Sequence, residues 1–424
     1  MKNQRGLTGT LFLNVMLIYC LVRFGLVFTM TIGWFRIPFV VVVGAGIIFL
    51  FACVNRVYAG QLLQANFICL IFNIFSVGVL KNFINNSSDI GIADSYFNNL
   101  IVLVVLWGVY LYMQWQSAKS RRWLAGIYLF VVAVSAVYTF YVALDGGDYI
   151  IRNTAFGERD ARYPLAYGGF DFIYGLVLVY TILLVVLANG RKRMKKSRQI
   201  LIIALMVLFA LTIIASNYST AFMLILLGTI FIAPKKNSTR IILLVLLVLS
   251  LYVFPLPLTR LIESIPYLPR LTSYRINELI LSFSGQGSSA YLTDDGQRLD
   301  RMLWSVKAFM AHPILGVYGS GDDNVLGYHT EWIEQLARYG IFTAIFNTLF
   351  WVISYRNMKC NTVHGSVTSK CLTGAFFVYL VLGFLNPISM VVTSAPLFVL
   401  CPFAENLFME QEIPEQLSPV LEKP

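Results

Sequence analysis

Long apolar runs separated by short polar intervals occupy almost the whole chain. Runs able to cross the roughly 30 Å hydrocarbon core of a bilayer fall at 10–30, 37–54, 61–80, 98–116, 123–144, 170–189, 199–215, 220–233, 241–256, 340–355, 372–392 and 395–409. The eighth and twelfth are short and need either a re-entrant path or support from neighbouring helices. The pattern predicts an all-α polytopic membrane protein of about twelve transmembrane helices, a single domain over 1–410 and a short cytoplasmic tail at 411–424. One long polar interval, about 257–339, interrupts the pattern between spans nine and ten. No internal repeat or matching pair of halves is visible.

Composition agrees with that reading. Hydrophobic residues make up 58% of 424 positions and charged residues 12%, and the mean hydropathy is +0.72, far more apolar surface than one water-soluble core needs. MKNQRGLTGT leads into the first run without a small-residue cleavage site, so it reads as an uncleaved first span. The net charge of +11 suggests nucleic acid until the cations are placed. They concentrate in alternate loops, at Lys2 and Arg5, Lys119 to Arg122, Arg191 to Arg198, Lys235 to Arg240 and Arg356 to Lys370. The positive-inside rule puts those loops and both termini in the cytoplasm. Arg191 to Arg198 then reads as a topology signal with anionic-lipid contact, and no nucleic-acid partner is expected. The six cysteines lie in apolar runs or a cytoplasmic loop, with no metal-ligand spacing.

Candidate chemistry gathers in the long outer loop. Its first third alternates prolines with amphipathic pieces, and Ile276, Leu279, Ile280 and Phe283 can face lipid while Arg270 and Arg275 stay wet. Asp294 and Asp295 read as a solvated helix start rather than a metal pair. From Arg298 to Ala311 the pattern is helical, with Leu299, Met302, Leu303, Val306, Phe309 and Met310 on one stripe. Arg298 and Arg301 share the other side, with Trp304 or Ser305 one turn on. Two planar guanidiniums above a membrane suit a diphosphate, although headgroup snorkelling explains them as well. The helix should stop at His312-Pro313, which makes His312 a turn residue. Gly316, Gly319, Gly321 and Gly327 follow, either cradling an anion or sugar or forming a flexible connection. His329 is expected to open the next helix, where the dipole favours a neutral imidazole. That position suits a structural cap or a general base, and the arginine pair upstream makes His329 the best base candidate in the chain. Arg338, at the far end of this helix, reads as structural, at the membrane edge.

The order Arg298, Arg301, Trp304, then His312-Pro313-Ile314-Leu315-Gly316, Gly319 and Gly321, His329 and Ala337-Arg338-Tyr339-Gly340 resembles the O-antigen polymerase (Wzy) and O-antigen ligase (WaaL) superfamily. The turn Ser216 to Thr220 is similar to a serine-rich outer motif there. The resemblance implies a C-type glycosyltransferase-like bundle that acts, without metal or other cofactor, on polyprenyl-diphosphate-linked glycans in the bacterial cytoplasmic (inner) membrane. In such a polymerase the growing O-antigen or capsule chain moves onto the next lipid-linked repeat unit. His329, Arg298 and Arg301 are then the catalytic set. Arg152, Arg159 and Arg162 in the third outer loop, with Arg23, Trp304, Gly319, Gly321 and Glu331, are the expected substrate contacts. Membrane lipids and a chain-length regulator protein are the further partners implied.

Three other readings compete. A ligase of the same superfamily would share the motif. A flippase or transporter of lipid-linked oligosaccharide should place cations inside the spans, where Arg23 alone is expected. A non-catalytic assembly scaffold would bind the same lipids.

Overall fold

The computed structural model describes residues 2–27, 32, 36–84, 87–147, 150–154, 160–232, 238–239, 241–243, 245–246, 255–264, 273–274, 277, 293–320, 326–327, 330–388 and 390–409. Among these every regular element is helical. Eight helices are long and apolar enough to cross a membrane: Ile37–Val54, Ala65–Phe83, Asp89–Gln114, Ala118–Gly146, Phe170–Arg193, Lys196–Ala215, Glu331–Cys360 and Val367–Leu385. Leu11–Gly25, Ser219–Ile232 and Val392–Phe408 are shorter apolar helices. Eleven of the twelve expected runs thus have a helical counterpart, while most of 241–256 lies outside the described residues. A helical membrane protein follows from these lengths and compositions.

Two spans form the centre. Asp89–Gln114 and Phe170–Arg193 are 72% and 83% buried, whereas Ile37–Val54 and Lys196–Ala215, equally apolar or more so, are 17% and 28% buried. A helix apolar all round fits either the interior or a lipid-facing surface, and the two pairs divide between those roles. Trp107, Tyr110 and Tyr112 are buried within the first central helix, and Phe398 meets Trp107 edge-on at 6.4 Å.

Several boundaries differ from the sequence expectation. The fourth run begins at Ser87 rather than 98, because its polar first turns continue the helix. The tenth begins at Glu331 rather than 340, and the chain stays helical through a kink at Gly340, whose φ is 74°. The eleventh stops at Leu385, since Asn386 precedes Pro387 and adopts φ −149°, ψ 153°. Helix resumes at Met390 and breaks again after Val399. The Ser216–Ser219 turn is real, with Asn217 in the left-handed region at φ 61°, a conformation asparagine tolerates.

Contacts between distant segments sort the loops into two ends. At one end the backbone carbonyls of Asn406 and Phe408 accept bonds from Arg122 (2.6 Å) and Arg198 (3.1 Å). Glu405 lies 3.5 Å from Arg193 and accepts the Val367 amide at 3.0 Å. Lys119–Arg122, Arg191–Arg198 and Ser366–Lys370 therefore share one face of the bundle. The opposite end holds the turn at Asn217, the segment 160–169 and the region from Arg301 to Gly340, with Tyr218 donating to the Ile151 carbonyl at 3.4 Å.

Candidate active site

The helix expected from Arg298 runs over Thr293–Ala311 and ends before His312-Pro313, as the proline requires. Asp294 and Asp295 fall in its first turn. Its packing face carries Ser305 and Ala308, both buried, with Phe309 against the core, while Leu303, Trp304, Val306 and Met310 are exposed. Exposed apolar side chains on a helix at the end of membrane-crossing spans are satisfied where they meet lipid. Arg301 is half-buried. A side chain on Gly327 would meet its carbonyl oxygen at 2.0 Å, and the Gly327 amide donates to the Ser305 hydroxyl at 3.0 Å. Glycine is required there because two backbones touch. The helix carrying Arg298 and Arg301 is thereby docked on residue 327, two positions before His329.

The glycines that follow His312 have a related use. Gly316 and Gly340 sit at φ 69° and 74° and face one another, so a Cβ on Gly316 would lie 2.3 Å from the Arg338 carbonyl and one on Gly340 2.1 Å from that of Ile314. The Ile341 amide donates to the Pro313 carbonyl at 2.9 Å. Gly316–Ser320 is a short helix with Gly316, Val317 and Tyr318 buried, and Gly319 abuts Leu80. Between 316 and 320, then, the expected glycine-rich cradle is a packing joint that locks one segment onto the kink of the next. Gly321 lies outside the described residues.

Beyond the joint a polar network fills the head of the tenth span. Glu331, Glu334, Gln335 and Arg338 are buried, where an ionised group persists only when paired or hydrogen-bonded. Arg338 Nη2 donates to Glu334 Oε2 at 2.5 Å, and Gln335 Nε2 to Glu331 Oε1 at 2.6 Å. Asn347 Nδ2 completes a line by donating to Gln335 Oε1 at 2.6 Å. The Glu331 amide donates to the Asn386 carbonyl at 3.2 Å, which ties this helix start to the break after Leu385. Tyr339 stacks on Tyr96 at 4.9 Å and meets Tyr318 edge-on at 5.3 Å. Arg338 is buried and ion-paired, and the chain stays helical past it through the kink at Gly340. Hydropathy hid this network, although Glu331, Glu334, Gln335 and Arg338 recur at three- and four-residue spacing, the mark of a self-satisfied helical face.

Other candidates are placed as follows. His329 lies outside the described residues, and the helix it was expected to open starts at Glu331 with Thr330 as N-cap. The dipole argument for a neutral imidazole weakens accordingly, since Glu331 and Glu334 occupy the first turn. Arg159 is outside the described residues, and Arg152 is placed by backbone alone, in the helix Ile150–Asn153. Arg162 is exposed, with its Nε and Nη2 donating to Asp160 Oδ2 at 2.9 and 2.6 Å. This pair holds the Asp160 carboxyl below its ordinary range through the Arg162 hydrogen bonds. Nearby, Tyr163 donates to Asp145 at 2.5 Å, and that bond pushes its phenol up to about 12. Arg23 stands in the last turn of Lys2–Gly25. Among the described residues no group of three or more His, Cys, Asp or Glu could hold a metal ion. All six cysteines are free. No family model and no curated protein matches the chain.

Proposed function

We propose that the protein is a membrane glycosyltransferase that polymerises a glycan carried on polyprenyl diphosphate, at the face of the bundle holding Arg301 and Gly340. The reading is supported above all by the docking of the helix that carries Arg301 on Gly327, which is two positions before His329 in the sequence. In the proposed step His329 takes the proton of an acceptor sugar hydroxyl. The oxygen attacks the anomeric carbon of the donor, whose bond to the diphosphate breaks. Arg298 and Arg301 hold the departing diphosphate, supplying fixed positive charge where negative charge develops. The imidazolium then returns its proton to solvent.

A translocator of lipid-linked oligosaccharide is the second reading, favoured by one observation: the ionic pair Arg338–Glu334 is buried within the bundle, as intramembrane charges on a transport path often are. Purified protein in liposomes, supplied with a polyprenyl-diphosphate-linked repeat unit, separates the two. The polymerase reading expects a ladder of glycan lengths, its abolition in His329→Ala, and at least a tenfold loss in Arg301→Lys, whose ammonium lacks the bidentate fork. Transfer of the lipid across the bilayer with no ladder would overturn it.

A further inference from the structure

At the basic end, the helices Phe170–Gly190, Ser219–Ile232, Glu331–Cys360 and Val367–Leu385 enclose an open cleft of about 770 Å³. Two ammonium groups line it, and both are positioned by neutral oxygens. Lys359 Nζ donates to the Tyr355 hydroxyl at 2.8 Å and the Thr373 hydroxyl at 3.2 Å. Lys370 Nζ donates to Asn189 Oδ1 at 3.0 Å. Lys370 and Thr373 are three apart on one helix, so both ammoniums are held beside the same face. His364 stands at the cleft too, on the turn formed by Gly365 at φ 75°. Among the described residues no carboxylate lines the cleft.

This differs from the other positioned cations of the molecule. Lys81, Arg162, Arg193 and Arg338 each have a carboxylate within 4 Å, and Arg122 and Arg198 reach backbone carbonyls, whereas the two ammoniums in this cleft are held by side-chain oxygens with no carboxylate within 4 Å among the described residues. The remaining wall is apolar, from Val185, Ala188, Phe231 and Ile232, and Phe231 is 46% exposed. Fixed positive charge beside an exposed apolar wall, at the end of membrane-crossing helices, complements a phosphate group that carries an acyl chain.

We propose that this cleft binds one anionic phospholipid, its phosphate between Lys359 and Lys370 and an acyl chain along Phe231 and Ile232. The proposal does not depend on the polymerase reading. The test is native mass spectrometry of the full-length protein in detergent, titrated in parallel with phosphatidylglycerol, phosphatidylcholine and inorganic phosphate. One phosphatidylglycerol should be retained at least tenfold more tightly than phosphatidylcholine. Lys359→Gln/Lys370→Gln should lose that preference, Lys359→Arg/Lys370→Arg should keep it, and Lys192→Gln/Lys195→Gln should leave it unchanged. The exposed single variant Lys370→Gln should weaken it severalfold and covers the case in which the double variant does not fold. Equal retention of phosphatidylglycerol by the wild type and Lys370→Gln would overturn the site. Displacement of the lipid by millimolar phosphate would also overturn it, by showing that a soluble anion is the ligand.

Discussion

At one end of the bundle Arg122, Arg193 and Arg198 reach carbonyls and a carboxylate at the rim, and the Arg193–Glu405 pair keeps 42% and 26% of its side chains exposed. At the other end Arg338 and Glu334 are 10% and 2% exposed and share their helix with the buried hydrogen-bonded line Glu331–Gln335–Asn347. The first arrangement needs no exact geometry, because water and lipid headgroups can solvate each partner alone. The second exists only while each partner stays in place. Backbone joints hold this second end, where a Cβ on residue 316, 327 or 340 would lie 2.0–2.3 Å from a carbonyl oxygen, whereas there is open space around Gly60. The second end is locked by its packing, and the first yields.

The largest expected effect comes from splitting the buried pair. Arg338→Met or Glu334→Gln alone should destabilise the protein by about 3–5 kcal/mol, because an unpaired charge or an orphaned polar group is left inside. Combining them should recover part of the loss. Thermal unfolding in detergent measures this, and single variants within about 1 kcal/mol of wild type would place the pair in a far wetter environment than its burial indicates.

Next come two glycine-to-alanine exchanges of opposite sign. Gly340→Ala puts a Cβ 2.1 Å from the Ile314 carbonyl at a positive φ and should cost at least about 1–3 kcal/mol from backbone strain alone. Gly60→Ala, in the helix Arg56–Leu62 with nothing within 4 Å, should stabilise by about 0.5–1 kcal/mol through helix propensity. Matching signs in the two variants would remove the contrast between the ends.

That contrast was only partly legible in the chain. The run 37–54 coincides with its helix because an apolar span carries one uniform signal, and the basic loops 119–122, 191–198 and 366–370 do lie at one end of the bundle. The head of the tenth span was lost because hydropathy counts Glu331, Glu334 and Arg338 as polar wherever they sit, while their pairing is a property of the folded face. Gly316 and Gly327 read equally well as a flexible loop, since the backbone each must admit comes from residues more than twenty positions away. The outward apolar stripe on Thr293–Ala311 needed knowledge of which side meets lipid.

A smaller, pH-dependent effect belongs to the loop at 160–163. Arg162 hydrogen-bonding holds the Asp160 carboxyl below its ordinary range, so this contribution is present above the unfolded value and is lost as pH falls through the folded one. For Tyr163 the sign reverses. Its phenol is raised to about 12 by the bond to Asp145, so the contribution is complete below the unfolded value and disappears as pH rises through about 12. The Arg162 amide, which donates to Asp160 Oδ1 at 2.9 Å, reports the acid limb in hydrogen exchange corrected for intrinsic rate. Protection that persists well below the aspartate range would assign it to something other than the carboxylate.

The smallest effect separates the two roles of Glu405. Its contact with Arg193 is a half-exposed pair of the kind worth about 0–1 kcal/mol, so Arg193→Gln should shift stability by no more than that. Glu405 also accepts the Val367 amide at 3.0 Å, at the first turn of Val367–Leu385, where a donor otherwise lacks an intrahelical partner. Glu405→Ala should therefore cost about 1 kcal/mol more than Arg193→Gln, in the range of a lost helix cap. A double-mutant cycle isolates the pair from the cap. If added salt erases the cost of Arg193→Gln and lowers that of Glu405→Ala only by the same small amount, the yielding end is held by its backbone cap and the ion pair is incidental.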